Sequence, residues 1–199
     1  MFLYACASQS FDFEKHIVIL RTNLYYGENE SFKLSASYGF NKEKSNDYCL
    51  TLTLKDRADD NVEYCAIVNF NQKEYKSAFK LNPVSGNLVA ELYIPDFNEE
   101  QFDASITYSS CTEQISLTSI LPKEHKTYQQ ALQALYQNQL ELFNSYNDSD
   151  GNFKAQIIVK AIVKSEKLYY YIAFKQDKSF KALLVDGNSL EVLAVREIF

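Results

Sequence analysis

Short runs of alternating or continuous apolar residues recur between residues 16 and 121, separated by turn-forming residues such as those at 71–73 and 85–87. In the run over 47–56, Tyr48, Leu50, Leu52 and Leu54 alternate with more polar neighbours. That period of two is typical of a half-buried strand. Repeated seven or eight times over roughly a hundred residues, it predicts an immunoglobulin-like β-sandwich. The chain has no Trp, so the prediction concerns architecture alone.

The pattern changes after Pro122. From Lys126 to Tyr146 there is no Gly or Pro, and strong helix formers dominate. Apolar residues recur there at spacings of three and four, which is the stripe of an amphipathic helix. The stripe consists of Tyr128, Ala131, Leu132, Leu135, Leu142 and Phe143. We therefore predict one helix ending in the polar cluster after Tyr146.

Strand-like runs follow the helix at 153–163, 167–174, 180–186 and 190–199. A helix followed by an antiparallel meander predicts a small α+β layer, in which the sheet covers the apolar stripe of the helix. The predicted organisation is an N-terminal tether or clipped signal remnant (1–15), a β-sandwich (16–121) and an α+β domain (122–199). The predicted fold class is thus mainly β, with an α+β second domain.

Charge is distributed unevenly along the chain. Residues 1–122 carry 10 Lys/Arg and 17 Asp/Glu, a net of −7, whereas the remainder has a net of +1, which together give the total of −6. Nucleic-acid binding needs clustered positive charge, so the acidic first part argues against it. No stretch approaches the length of apolar sequence that a membrane-spanning helix requires.

The cysteines are Cys6, Cys49, Cys65 and Cys111. No two of them have the close spacing typical of a zinc site. Cys49 and Cys65 would face each other across a hairpin centred near Arg57. Two alternatives remain open for them, a disulfide and two free thiols.

Other candidate chemistry is weak. The two histidines, His16 and His125, lie outside any nucleophile motif. The segment 146–152, YNDSDGN, resembles a calcium loop, but Tyr146 and Ile157 would occupy positions that need oxygen ligands. We interpret it as a polar turn, and the cluster Asp56, Asp59 and Asp60 as a solvated hairpin tip. No cofactor, metal or catalytic residue is predicted, and an unrecognised enzyme ranks third among the functions.

The N-terminus contains a candidate lipidation site. In Leu3-Tyr4-Ala5-Cys6 a small residue precedes Cys6, as at the end of a bacterial lipoprotein signal, and small polar residues follow. Tyr4 is bulky for such a motif, and a basic region with a long apolar segment does not precede it. Either the signal is clipped, and the protein is extracytoplasmic, or Met1 is the true start and the protein is cytoplasmic.

Three consecutive tyrosines are the candidate partner-binding residues. On a strand, Tyr169 and Tyr171 lie on one face and Tyr170 on the other. One face should pack on the helix. The other face is either an exposed aromatic patch for a partner or is shielded by lysine stems such as those of Lys160 and Lys181.

The C-terminal region resembles the PepSY-type, cystatin-like domains. These close with a strand, an Asp-centred turn and a last strand, and Asp186 with the segment 191–194 (EVLA) fits that pattern, as does the aromatic strand at 169–174. Leu190 stands where the family has Gly, which takes positive φ easily. We therefore expect the left-handed position to have moved to Gly187, with Asp186 accepting backbone hydrogen bonds in the turn.

The resemblance implies a role in the cell envelope of Gram-positive bacteria, where PepSY-like domains are linked to protease regulation. The leading prediction is a non-enzymatic binding or regulatory module whose partner is a protein or an envelope component. The alternative is a structural or adhesion-type surface protein in which the β-sandwich binds the partner.

Overall fold

The structure is a computed structural model that describes residues 11–55 and 62–198. The chain is mainly β. A short 3₁₀ turn, Phe13–Lys15, precedes the first strand. The strands are β1 Ile17–Glu28, β2 Lys33–Asn41, β3 Ser45–Leu54, β4 Tyr64–Phe70, β5 Lys73–Ala78, β6 Lys80–Leu81, β7 Leu88–Leu92, β8 Gln101–Tyr108, β9 Cys111–Ser119, β10 Gln156–Lys164, β11 Lys167–Gln176, β12 Ser179–Asp186 and β13 Val192–Ile198. The helices are α1 Tyr128–Asn138 and α2 Leu140–Asn144.

Strands β1 to β9 form a nearly closed antiparallel sheet in the order β6-β7-β3-β2-β1-β9-β8-β4-β5. Alternate residues of these strands point inward and fill one core. Among its fully buried members are Leu34, Leu50, Leu52 and Ile106. The mainly β class is therefore confirmed for this region, and the finer assignment to an immunoglobulin-like sandwich remains a prediction.

The long strand β1 connects this sheet to the C-terminal strands. Through Ile17 to Arg21 it pairs in parallel with β10, and through Tyr25 and Tyr26 it pairs with β9. Register shifts after Ile17 and after Arg21 allow the two halves of β1 to face different cores. The sheet therefore continues as β1-β10-β11-β12-β13. The division at residues 121–122 stays a prediction, which limited proteolysis would test.

The helices cover one face of β10–β12. A Thr127 capping box with Gln130 begins α1. Ala131, Leu132 and Leu135 are buried, as the predicted stripe requires. The prediction of one continuous helix is wrong, because the chain breaks at Gln139 (φ −131°, ψ 43°) and α2 follows. The break lets Phe143 of α2 pack against Phe153 and Phe174 at the end of the core.

The closing hairpin keeps its left-handed residue at Leu190 (φ 64°), so the predicted relocation to Gly187 is wrong. Gly187 is required for space instead, since a Cβ there would lie 2.7 Å from the carbonyl oxygen of Leu168. Asp186 caps the turn as predicted. Its carboxylate accepts hydrogen bonds from the N–H groups of Asn188 (2.8 Å) and Ser189 (2.9 Å), which lower its pKa.

The cysteine alternatives are resolved in favour of free thiols. Cys49, Cys65 and Cys111 are all unbonded to sulfur. The expected hairpin between Cys49 and Cys65 does not form, because β3 pairs with β2 and β7 whereas β4 pairs with β5 and β8. The chain thus crosses between distant parts of the sheet after β3. Cys6 and the acidic cluster Asp56, Asp59 and Asp60 lie outside the described residues.

Candidate functional site

The three tyrosines lie at the centre of the C-terminal sheet, on β11. Tyr170 points toward the helices and is only 3% exposed, and its hydroxyl donates a hydrogen bond to the carbonyl of Lys126 (2.7 Å). Burial raises the pKa of Tyr170 to about 12. Tyr169 and Tyr171 point to the opposite face and are half-buried. Tyr170 thus belongs to the core, and only its two neighbours are placed where a partner has access.

We name the outward surface of β10–β12 the tyrosine face. It is defined by Ile158, Ile162, Tyr169, Tyr171 and Leu184, which alternate with inward-pointing core residues along the three strands. Ile162 is 41% exposed. Between these larger side chains lie two buried alanines, Ala173 and Ala182, which pair with each other across β11 and β12. The face is therefore apolar at its centre, and the helices lie on the other side of the sheet.

Positive charge lies around and within the tyrosine face, where Lys160 sits between Ile158 and Ile162 and directly across from Tyr171. The alternation of the strands places these cations on the outward side: Arg21, Lys160, Lys164, Lys167, Lys175 and Arg196. The acidic side chain on the same strands and side is Asp186, which already caps its own turn. The tyrosine face is therefore locally positive, although the protein as a whole has a net charge of −6.

Few of these cations have a charged partner. Lys175 forms an ion pair with Glu43 of the β2–β3 turn (3.0 Å), and the guanidinium of Arg21 donates to the carbonyl oxygen of Cys49 (3.0 Å). Within the described ranges, Lys160, Lys164 and Arg196 take part in no ion pair. Burial raises the pKa of Tyr171, and nearby Arg196 opposes that shift. Tyr171 and Arg196 lie on the same face, two strands apart, on β11 and β13.

A concave surface lies on the nearly closed sheet. It is an open groove of about 730 Å³ over the outward side of β3 and β7, with walls from β5 and the β6–β7 turn. Thr51, Thr53 and Tyr93 line it together with the ion pair between Lys44 and Glu91. Tyr93 is 47% exposed. The sequence pattern did not reveal this groove, because its residues come from strands that are not consecutive.

The other residues considered from the sequence have structural surroundings. His16 stacks on Phe11 with 5.3 Å between ring centroids, and burial lowers its pKa. Nδ1 of His125 lies 2.6 Å from the carbonyl oxygen of Pro122. In the 146–152 turn, Asp148 accepts from the N–H groups of Asp150 and Asn152 and forms an ion pair with Lys154. These contacts account for the polar turn without a ligand.

Comparison with protein-family models, with curated proteins and with solved structures gives no match to this chain. The helices of the described ranges are all too short or too polar to cross a membrane.

Proposed function

We propose that this chain is a non-enzymatic binding module that docks a partner protein on the tyrosine face. One observation carries the proposal: helices cover one side of the sheet, whereas the other side is an open apolar surface with cations among and around its residues. Aromatic and Arg side chains around an apolar centre are typical of the residues that dominate binding energy in protein interfaces. The cations favour a partner with an acidic rim.

The cell-envelope setting is part of this proposal. Support comes from the PepSY-like pattern of the closing hairpin and from the candidate lipidation site Cys6, which would tether the module to a membrane surface. A protease-regulating role would follow if the partner is a protease or its substrate.

A selection experiment tests the proposal. Short random peptides displayed on phage are selected against the full chain, and the affinities of the synthetic winners are measured by fluorescence anisotropy. We expect acidic peptides with apolar residues, whose binding weakens as salt rises. Tyr171→Ala and Arg196→Glu should each weaken binding about tenfold or more. Tyr93→Ala, an exposed tyrosine elsewhere, is the matched control, and thermal melts confirm that each variant is folded.

Two results would contradict the proposal. One is peptides that bind the Tyr171 and Arg196 variants as tightly as the wild type. The other is a single-stranded oligonucleotide that binds through Tyr171 more tightly than any selected peptide, since stacking on exposed aromatics beside cations is also how proteins hold single strands.

The groove supports a second candidate function, the adhesion-type hypothesis in which the β-sheet region binds the partner. Its volume falls in the range of ligand sites, and it combines an exposed aromatic ring with hydroxyl groups of Thr51 and Thr53. The same experiment separates the two. If binding depends on Tyr93 and is indifferent to Tyr171, the groove is the site.

A further inference from the structure

The last strand, β13, is a free edge next to the tyrosine face. Among the residues described, β13 pairs with β12 on one side and with no strand on the other. A free edge presents a row of backbone N–H and C=O groups that another strand can pair with. Leu193 and Val195 of this edge are 51% and 53% exposed. Among the described residues the edge is therefore unpaired, and it is apolar from Val192 to Val195.

The other long free edge of the sheet, β5, carries more charge than β13. Strand β5 pairs with β4 alone in the described sheet, and it carries Lys73, Glu74 and Lys76 within six residues. Charged residues on an edge discourage pairing with other chains. In β13 the charged residues are Arg196 and Glu197, both near its C-terminal end, and the stretch from Val192 to Val195 has no charge. That uncharged stretch is the part of the edge that another strand could pair with.

We propose that β13 pairs with an extended acidic segment of the partner protein, which adds a strand to the sheet. This inference rests on the proposed function and specifies its geometry. Such β-augmentation derives affinity from main-chain hydrogen bonds and specificity from alternate side chains. On the outward side, the added strand would lie beside Ala194 and Arg196, with Tyr171 and Leu184 further along the same surface. On the other side it would lie beside Val195 and Glu197, and Glu197 already forms an ion pair with Lys181.

That placement defines the chemistry of the segment. An acidic residue opposite Arg196 would form a cross-strand pair of opposite charge, and β-branched residues opposite Val195 would extend the apolar surface. A second copy of the chain fits less well. Antiparallel pairing of two β13 edges about a twofold axis perpendicular to the sheet would bring two tyrosine faces side by side on one surface. The Arg196 side chains of the two copies would then lie on one surface near the shared edge and repel each other.

The experiment uses a peptide obtained from the selection above, on the full chain. Single N-methyl groups are introduced along the peptide, and hydrogen exchange of the β13 amides is followed by NMR. We expect N-methylation at alternate residues to weaken binding about tenfold or more, with the intervening positions tolerant, because only one side of a strand pairs with β13. Alternate amides between Val192 and Glu197 should exchange about tenfold more slowly when the peptide is bound.

The failure of this inference is distinguishable from failure of the proposed function. Binding that needs Tyr171 and Arg196 but shows neither alternation nor slower exchange in β13 overturns edge pairing and leaves the face as the docking site. Binding that is indifferent to Tyr171 contradicts both. Slower exchange in β13 that appears on raising the protein concentration without peptide would identify a second copy as the occupant and overturn the inference.

Discussion

The two faces of the C-terminal sheet belong to the same strands, β10–β12, but they differ in what covers them. On the covered face, Tyr170, Ile172, Phe174 and Leu183 are buried under α1 and α2 and belong to one core. On the tyrosine face, Tyr171 and Leu184 are half-buried and remain open to solvent. The two faces are similarly apolar, because the side chains on each of them are rich in aromatic and aliphatic residues.

What separates the faces is what surrounds the apolar residues. The covered face has aromatic rings packed against aromatic rings, such as Phe143 on Phe174 at 5.1 Å between centroids. The tyrosine face has cations among and around its apolar residues, and no helix of the described structure covers this face. An apolar surface of this kind is a place to expect binding rather than stability. The predictions below test that division, beginning with the largest expected effect.

Phe174→Ala should destabilise the protein by about 3–5 kcal/mol, because it leaves a cavity among Phe143, Tyr146 and Phe153 that the packed core cannot fill. Tyr171→Ala, on the other face, should cost only about 1 kcal/mol. Urea unfolding at neutral pH measures both, with the denaturant slopes compared to detect changes in the unfolded state. Equal losses would mean that the tyrosine face is structural and would remove the reason to regard it as a binding surface.

Gly187→Val should destabilise by about 2–3 kcal/mol, since any Cβ at 187 meets the Leu168 carbonyl oxygen on the covered side. The backbone of Gly187 also makes two hydrogen bonds. Its carbonyl oxygen accepts from the N–H of Lys126, and its N–H donates to the carbonyl oxygen of Leu168. Gly187→Asn tests whether the steric contact or the backbone conformation makes glycine necessary at this position. Asn tolerates positive φ, so it would be well accepted if backbone conformation were the requirement. We expect Asn to destabilise like Val in thermal melts, and a neutral Asn variant would contradict the steric explanation.

The local patterns predicted the strands well but not their neighbours. Alternation in 47–56 correctly indicated β3, and the stripe after Pro122 correctly indicated helix. Alternation reports which face of a strand is buried, not which strand lies beside it. For that reason the hairpin assumed between Cys49 and Cys65 was wrong. The break at Gln139 was equally invisible, because Leu142 and Phe143 satisfy the helical spacing whether or not the helix is continuous.

The candidate site was predictable only in part. The alternation of Tyr169, Tyr170 and Tyr171 gave their division between faces, and this needs nothing beyond strand geometry. The set of cations needed the register of four strands, since Lys160 and Arg196 are far apart in sequence and share one face only because β11 and β12 lie between β10 and β13 in register. Leu190 shows a different limit of prediction from sequence. The turn keeps positive φ at a residue that resists it, because Asp186 and the neighbouring backbone hold the chain there.

Tyr170→Phe should cost about 1 kcal/mol near neutral pH, through loss of the hydrogen bond to the Lys126 carbonyl. At high pH we expect the difference in unfolding free energy to reverse, so that the Phe variant is the more stable of the two proteins. The folded-state pKa of about 12 lies above the ordinary value near 10, so the unfolded chain loses its proton first. The stability of the wild type therefore falls as pH rises between those values. Urea unfolding from pH 7 to pH 11 compares the two proteins, and a difference that is constant with pH would contradict the assigned burial of Tyr170.

Leu190→Gly should change stability by less than about 1 kcal/mol, the smallest effect predicted. Glycine relieves the cost of a left-handed residue, about 1–2 kcal/mol. It also loses the packing of Leu190 against the covered core and adds freedom to the unfolded chain. Leu190→Ala is the matched control, since it loses the same packing and keeps a Cβ at positive φ. We expect Ala to be less stable than Gly by about 1 kcal/mol in thermal melts. If Ala equals or exceeds Gly, Leu190 carries no conformational strain, and the hairpin on the covered side is held by packing alone.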